Sequence, residues 1–472
     1  MEVNTATGDR RVSSRAAYGG LFAAMLGIAA VQLAAFWPGI MVWDAIRQYG
    51  QALSGRYDDW HPPAMNWLWR QMLPLRDGPA PMLLVQMLLY WGGLTLLASS
   101  ALQQRRLRLT ILLVACALLP VPFVLVGTIL KDSLMAGALL AVAGLIAWRR
   151  PGDRLLSAIA ILLLLGAATL RFNALPACLP FLVRLLPADW KRTPGRLLLT
   201  ILAAAIPLLA AMPLANRLLH AESSGVALSL IVYDLGGVTR NSGKDMFPPL
   251  AIADPVAVNA RCYSPVSWDD YAWWGPDPCP IGFDSIRTAL RTSGSDPYRI
   301  WAGAVATHPL AYAQHRLTHF NSNIRFLIRD GDDPRLSLQS DPNPWDFRLE
   351  PSALRKVIGD LASDSLLTPL GWPACWLALC LGILLLGPGL PRSSLALPIA
   401  LSVLLYGFSY LPLSVASEVR YHLWTMIGTA VALPIALTDV AAAGGVTRRR
   451  LAIAFAPVAI VTLLCIGARL LL

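Results

Sequence analysis

The chain has 472 residues, of which 56% are hydrophobic and 14% charged, against roughly 45–50% and 25% in soluble proteins. With a mean hydropathy of +0.54, this excludes a soluble domain and points to a polytopic α-helical membrane protein. The net charge of +11 would suit nucleic acid, but it is gathered in short loops that give it another meaning.

Apolar runs fit to cross a hydrocarbon core of roughly 30 Å recur at 17–38, 79–101, 110–129, 132–148, 155–170, 172–187, 196–216, 366–387, 394–414, 421–439 and 451–471. They predict about eleven transmembrane helices. The first follows a basic head (Arg10, Arg11, Arg15) and has no small-residue cleavage site. It is followed by further spans, so it is expected to be an uncleaved helix.

The loop at 39–78 is unusual. Its first half, "MVWDAIRQYGQ", continues as a helix with Asp44, Gln48 and Gln51 on one face and an apolar opposite side. Gly55 ends that helix, and "HPP" restarts the chain because prolines suit only a first helical turn. "AMNWLWRQML" is again amphipathic, and Trp60, Trp67 and Trp69 suit an interface. Two juxtamembrane helices are predicted, turning Asp44, Asp59 and His61 toward one pocket. The bland alternative is that these charges mark the interface, with Asp58 solvated and His61 orienting a turn.

Further along, isolated charges stand at helix ends predicted for the same side: Lys131 and Asp132 in "LKD", Arg171 and Asn173 in "LRFN", and Glu418, Arg420, Tyr421 and His422 in "SEVRYH". Ionisable groups there are costly and face a cavity or a partner. An acid opposed by three cations suits an anionic substrate. Between the two groups of spans, 217–365 reads as a folded exterior module, mixed or mostly helical. It is rich in turn signals ("GPDPCPIG", "SDPNPWD") and carries an amphipathic stretch at about 296–328. The organisation expected is thus 1–216 (a bundle with its first outer loop), 217–365 (a periplasmic module) and 366–472 (C-terminal helices).

Placing the N-terminus inside puts "DRRVSSR", "QQRRLR", "RRPGDR", "RLLPADWKRTPGR", "LPRSS" and "VTRRR" on the cytoplasmic side. That side holds 17 basic and 5 acidic residues, with Glu2 and Asp439 included, leaving 22 basic and 23 acidic for the rest. This is the positive-inside pattern, so no nucleic-acid partner is needed. Only 4 of the 39 basic residues are lysine, a bias that fits a GC-rich bacterium and its inner membrane. Cys116, Cys178, Cys375, Cys380 and Cys465 fall in spans as small core residues. Cys262 and Cys279 lie in the module facing an oxidising compartment, where a disulfide is expected and two buried thiols are the alternative.

Cations beside a carboxylate suit displacement of a sugar from a lipid phosphate: they stabilise the leaving phosphate while the carboxylate takes the acceptor hydroxyl's proton. Here the residues resemble the GT-C superfamily of polytopic membrane glycosyltransferases, which includes protein O-mannosyltransferases and lipid A aminoarabinose transferases. "MVWDAIRQYGQ" puts Asp44 at the place of that superfamily's first-loop acid. "YDDWHPP", "ILKDSLMA", "LRFNALPA" and "EVRYHLW" are similar to its outer helix-end stretches. The resemblance covers the membrane framework and leaves the exterior module unmatched. It implies a polyprenyl-phosphate sugar as donor and inversion by single displacement onto a glycan, lipid or protein acceptor. Asp44 is then the base, Lys131, Arg171, Arg420 and Tyr421 hold the donor phosphate, and Gln48, Asp59 and His61 orient the acceptor. The adjacent "DD" departs from the spaced acidic pair of metal-dependent members, so neither a metal nor another cofactor is expected.

Other signals are weaker. "HRLTH" sets His315 and His319 four apart but lacks the glutamate of HExxH, so packing on an amphipathic helix is expected. "RDGDD" (329–333) lacks the Ca²⁺-loop spacing. Neither a P-loop nor GxSxG occurs. An O-antigen ligase or polymerase is the competing enzyme. A lipid or solute transporter is the competing class, although transporter sites lie near the bilayer midplane, where this chain carries almost no charge.

Overall fold

Uninterrupted apolar sequence becomes long helix here, and proline, glycine and helix-end polar residues decide where each helix stops. The computed structural model describes residues 14–150, 152–274, 278–329, 336–444 and 447–471. Arg10 and Arg11 of the basic head and 330–333 of "RDGDD" lie outside the described residues, as does Val446 of "VTRRR".

Helix α1 (Ser14–Phe36) leads into two short helices, α2 (Trp43–Ser54) and α3 (Ala64–Met72), and then α4 (Ala80–Gln103). The predicted stop at Gly55 is present: its φ of 70° closes α2 in a left-handed cap, with its N–H on the Gln51 carbonyl. Arg70 Nη1 donates to the Ala52 and Leu53 carbonyls, covering the end of α2 from α3. Helices α5 (Leu107–Cys116) and α6 (Pro120–Gly127) form a pair bent by 58°. They are followed by α7 (Lys131–Trp148), α8 (Arg154–Ala168), α9 (Leu175–Leu185) and α10 (Pro194–Leu218). Gly93 and Gly144 let α4 and α7 approach so closely that a Cβ at either would strike the other helix's backbone.

The next helices, α11 (Ala227–Ser242), α12 (Pro255–Cys262), α13 (Phe283–Ser293) and α14 (Pro297–Thr307), build a separate apolar core around Val232, Tyr233, Tyr271, Phe283 and Ile286. A disulfide joins Cys262 to Cys279 at its edge. The chain then returns to the main bundle: Phe320 of α15 (Pro309–Ile324), Leu349, and Ala362 and Leu366 of α16 (Ala353–Leu366) share the bundle's own core. Segment 217–365 therefore divides its apolar residues between two cores. Helices α17 (Pro373–Leu385), α18 (Ala396–Leu413), α19 (Leu423–Ala442) and α20 (Arg448–Leu471) complete the fold.

Among the described residues, seven helices are long and apolar enough to cross a membrane, with α5 and α6 making an eighth if they act as one broken span. Each of the eleven predicted runs is helical, but three are too short. Helices α8, α9 and α17 have 15, 11 and 13 residues, or about 22, 16 and 20 Å at 1.5 Å per residue. Local sequence explains each. The polar "RFN" separates α8 from α9, Pro180 lies inside α9, and Pro373 and the turn at Gly387–Gly389 bound α17.

A two-residue parallel ladder sets the site. Strand β1 (Ile40–Met41) pairs with β2 (Thr128–Ile129), with Ile40 opposite Thr128 and Met41 opposite Ile129. One strand runs into α2 and the other into α7, so both helices start at one level with their N-termini side by side. Gln86 of α4 pins the arrangement, donating from Nε2 to the Val126 and Thr128 carbonyls.

Candidate functional site

Asp44 stands in the first turn of α2 and Lys131 opens α7. A carboxylate suits the positive end of a helix dipole and a cation does not, so Lys131 needs a counterion, and the ladder supplies Asp44. Asp44 Oδ2 lies 3.3 Å from Lys131 Nζ and 3.0 Å from Arg420 Nη1. Its Oδ1 lies 3.8 Å from His61 Nε2.

Arg420 sits just before α19 and is held from two sides. Glu418 accepts from its Nη2 at 2.7 Å and sits 2.5 Å from its Nε. The chain just before it is clamped by α15: Arg316 Nη1 donates to the Ser414 carbonyl, and Asn323 Nδ2 to that of Ala416. Arg316 is itself fixed by Asp234 of α11 at 2.5 Å. The start of α2, and with it Asp44, is fixed in the same way: Trp43 N–H donates to Asp341 Oδ2, and Met41 N–H to Ser340 Oγ.

The electrostatics follow from this packing. Burial alone would raise the Asp44 carboxyl, but Arg420, Lys131 and His61 outweigh it and hold it well below the ordinary 3.8. Burial and the Lys131 ammonium push His61 down to about 3, against the opposing pull of Asp44. His61 is therefore neutral at physiological pH. Its Nδ1 faces Lys131 Nζ at 2.8 Å, and an ammonium can only donate, so Nδ1 accepts and the ring proton sits on Nε2. With Nε2 protonated and Nδ1 engaged by Lys131, His61 has no free acceptor, which leaves the Asp44 carboxylate as the group able to accept a proton.

Asp44, His61 and Arg420 line a cavity of about 730 Å³, while Lys131 stands behind Asp44 and His61, outside its wall. Asp44, Arg47, His61, Asp341, Glu418 and Arg420 make its polar wall, Leu125 and Leu130 its apolar wall, and Trp43, Trp60, Trp273 and Trp274 an aromatic one. Such a cleft, mostly apolar with a few convergent charges, is what a ligand site requires.

Of the predicted site residues, the structure brings together Asp44, Lys131, Arg420 and His61. Tyr421 stands behind them, its ring between Arg420 at 5.6 Å and Arg171 at 4.5 Å. Arg171 does not line the cavity: it pairs with the buried Asp132, and its Nε donates to Asn173 Oδ1. Gln48 is also turned away, because one turn beyond Asp44 the same face of α2 meets α3, where Gln48 Nε2 donates to Asn66 Oδ1. Asp59 accepts from both N–H and Oγ–H of Ser224 at 2.7 and 2.6 Å, tying the loop to the chain after α10. Asp58 is not free in solvent; it pairs with Arg47 at 2.5 Å and caps the Trp60 N–H. Glu418, which the sequence places among the helix-end charges without giving it a role, is a second carboxylate of the cavity wall, bound to Arg420. Trp273 and Trp274 also belong to the wall, and their contact with Trp60 of the first loop has no local signal in the sequence. Among the described residues, no group of three or more His, Cys, Asp or Glu side chains gathers as a metal site.

No family model, curated protein or solved structure matches the chain.

Proposed function

We propose that this protein is a membrane glycosyltransferase of GT-C type, moving a sugar from a polyprenyl-phosphate donor to a hydroxyl of a glycan, lipid or protein acceptor. The observation that carries the reading is one carboxylate, Asp44, shared by Lys131 and Arg420 at the mouth of an apolar-walled cavity between helix ends. Arg420 faces the cavity to take the donor phosphate, Lys131 reinforces it from behind Asp44, and the apolar wall of Leu125 and Leu130 suits the start of its isoprenoid chain.

In the proposed step the acceptor oxygen attacks the anomeric carbon from the side opposite the phosphate, forming the new glycosidic bond with inversion. The bond from that carbon to the phosphate oxygen breaks, and its electron pair leaves with the phosphate, neutralised by Lys131 and Arg420. The hydroxyl proton passes to Asp44. A weakly basic carboxylate serves because the hydroxyl becomes strongly acidic as its oxygen bonds to carbon. His61 accepts from Lys131 through Nδ1 and stands 3.8 Å from the other carboxylate oxygen of Asp44. Glu418 sets the plane of the Arg420 guanidinium.

The reading includes a bacterial inner-membrane location, a periplasmic cavity, segment 217–365 on that side and α8, α9 and α17 as additional short spans. The test is release of polyprenyl phosphate and formation of product by purified protein in nanodiscs given polyprenyl-phosphate sugars and membrane-derived acceptors. Loss of both signals in Asp44→Asn supports the proposal. Movement of substrate across proteoliposomes without bond formation would replace it with a transporter.

A further inference from the structure

The aromatic wall of the cavity continues past the site. Trp60 stands at its centre, with ring centroids 5.0 Å from Trp273, 5.8 Å from Trp268 and 5.8 Å from Phe283. Trp268 is buried, but Trp273 and Trp274 remain 44% and 50% exposed. Packing thus fixes the rings while leaving indole surface open. On the far side of Trp60 and Trp273 lies a second cavity of about 340 Å³. Arg47, Trp60 and Trp273 line both cavities. The far one is polar, with Asp58, Glu222, Asp284 and Arg287 in its wall.

An interfacial tryptophan belt is the ordinary explanation for clustered indoles in a membrane protein. It does not suit these, because the same wall carries three carboxylates and two guanidiniums that lipid tails would not solvate. Nor is the wall an anion site, since its charges nearly cancel: Arg47 pairs with Asp58 and Arg287 with Asp284, each within 2.6 Å. Open indole faces beside paired carboxylate and guanidinium groups offer apolar stacking together with many hydrogen-bond donors and acceptors and little net charge. That is the chemistry of a neutral pyranose, whose C–H face packs on an aromatic ring while its edge hydroxyls bond to polar groups.

We propose that these two cavities form one acceptor groove for a neutral carbohydrate chain, with the reactive hydroxyl delivered to Asp44 and the preceding sugars lying over Trp60, Trp273 and Trp274 toward Asp284 and Arg287. This rests on the transferase reading for the hydroxyl's fate, but carbohydrate binding itself does not. It selects a glycan from among the three acceptor classes.

The test uses the full chain in nanodiscs with no donor present. Malto-, cello- and chitopentaose are titrated to about 10 mM, where even a ligand of millimolar Kd binds substantially, and intrinsic tryptophan fluorescence is read. At least one pentaose should shift the emission saturably. Trp273→Ala/Trp274→Ala should weaken that affinity about tenfold or more, as loss of an aromatic anchor does. Trp273→Phe/Trp274→Phe should restore much of it, and Asp284→Asn, which spares the Arg287 guanidinium over Phe283, should weaken it several-fold with the emission of the free protein unchanged. No response to any pentaose, or a response equal in all variants, overturns the groove. Saturable binding without any sugar transfer keeps the groove and sinks the transferase. Transfer to lipid or protein acceptors without pentaose binding does the reverse.

Discussion

Asp44→Asn separates binding from chemistry in a way the geometry makes quantitative. With His61 neutral, Asp44, Glu418 and Asp341 balance the charges of Lys131, Arg420 and Arg47, so the free site is close to neutral. A donor phosphate must take from Asp44 the Arg420 contact at 3.0 Å and the Lys131 contact at 3.3 Å. Asparagine keeps the shape and releases the cations, raising the site's charge by one. A hydrogen bond to a charged group contributes about 1.5–3 kcal/mol, so affinity for polyprenyl phosphate should rise about ten- to a hundredfold. Turnover should fall by roughly 10²–10⁴ for want of a proton acceptor. Binding is measured by competition with a labelled lipid phosphate in nanodiscs, turnover by single-turnover transfer with saturating donor, and folding by thermal melting. Weaker lipid-phosphate binding in a folded variant would remove Lys131 and Arg420 as the phosphate clamp. Transfer at the parent rate would remove Asp44 as the base.

His61 should make stability pH-dependent. Its folded value of about 3 lies below the ordinary 6.5, so the unfolded chain takes up a proton first as the pH drops. The stability is whole above about 6.5 and erodes toward 3, by about 2 kcal/mol at pH 5. His61→Gln should lose less melting temperature than the parent between pH 7 and pH 5, and equal losses would contradict the assignment. Asp44 acts in the same direction at lower pH: its stabilisation is present above the ordinary 3.8 and disappears only below it. The acidic limb of kcat/KM should therefore lie below pH 4, and a limb near pH 6 would point to another base. Arg171→Ala strips the buried Asp132 of its partner, which typically costs about 3–5 kcal/mol. Melting should fall sharply; a variant that melts like the parent yet loses donor affinity would restore Arg171 as a phosphate ligand. Finally, cysteines placed at Arg106 and Ser223 should label from opposite faces of the membrane, and labelling from one face would end the proposed topology.

What could be read in the sequence was local in it. Gly55 as a stop, "HPP" as a restart and Asp44 in an amphipathic first turn all depend on neighbours within a few residues, and all three stand in the structure. Gln48 shows where that logic fails: helical spacing places it on the face of Asp44, but cannot say that α3 covers that face one turn later through Asn66. Span length failed for a related reason. Hydropathy sums over a window, whereas a helix ends at single residues such as Pro180 or the polar "RFN" between α8 and α9. The two features that create the site had no local signature. The ladder of 40–41 with 128–129 is two residues long, too short for any strand pattern, yet it is what sets Asp44 beside Lys131. Glu418 and Arg420 arrive from the other end of the chain, held by Arg316 and Asn323 of α15, whose contacts with 414–416 depend on segment 217–365 folding back onto the bundle. It follows that substitutions at Asp234 or Arg316, which lie outside the cavity wall, should act on it through Arg420. Both are buried and paired at 2.5 Å, and through Arg316 on the Ser414 carbonyl that pair ties α11 and α15 to the chain that carries Arg420.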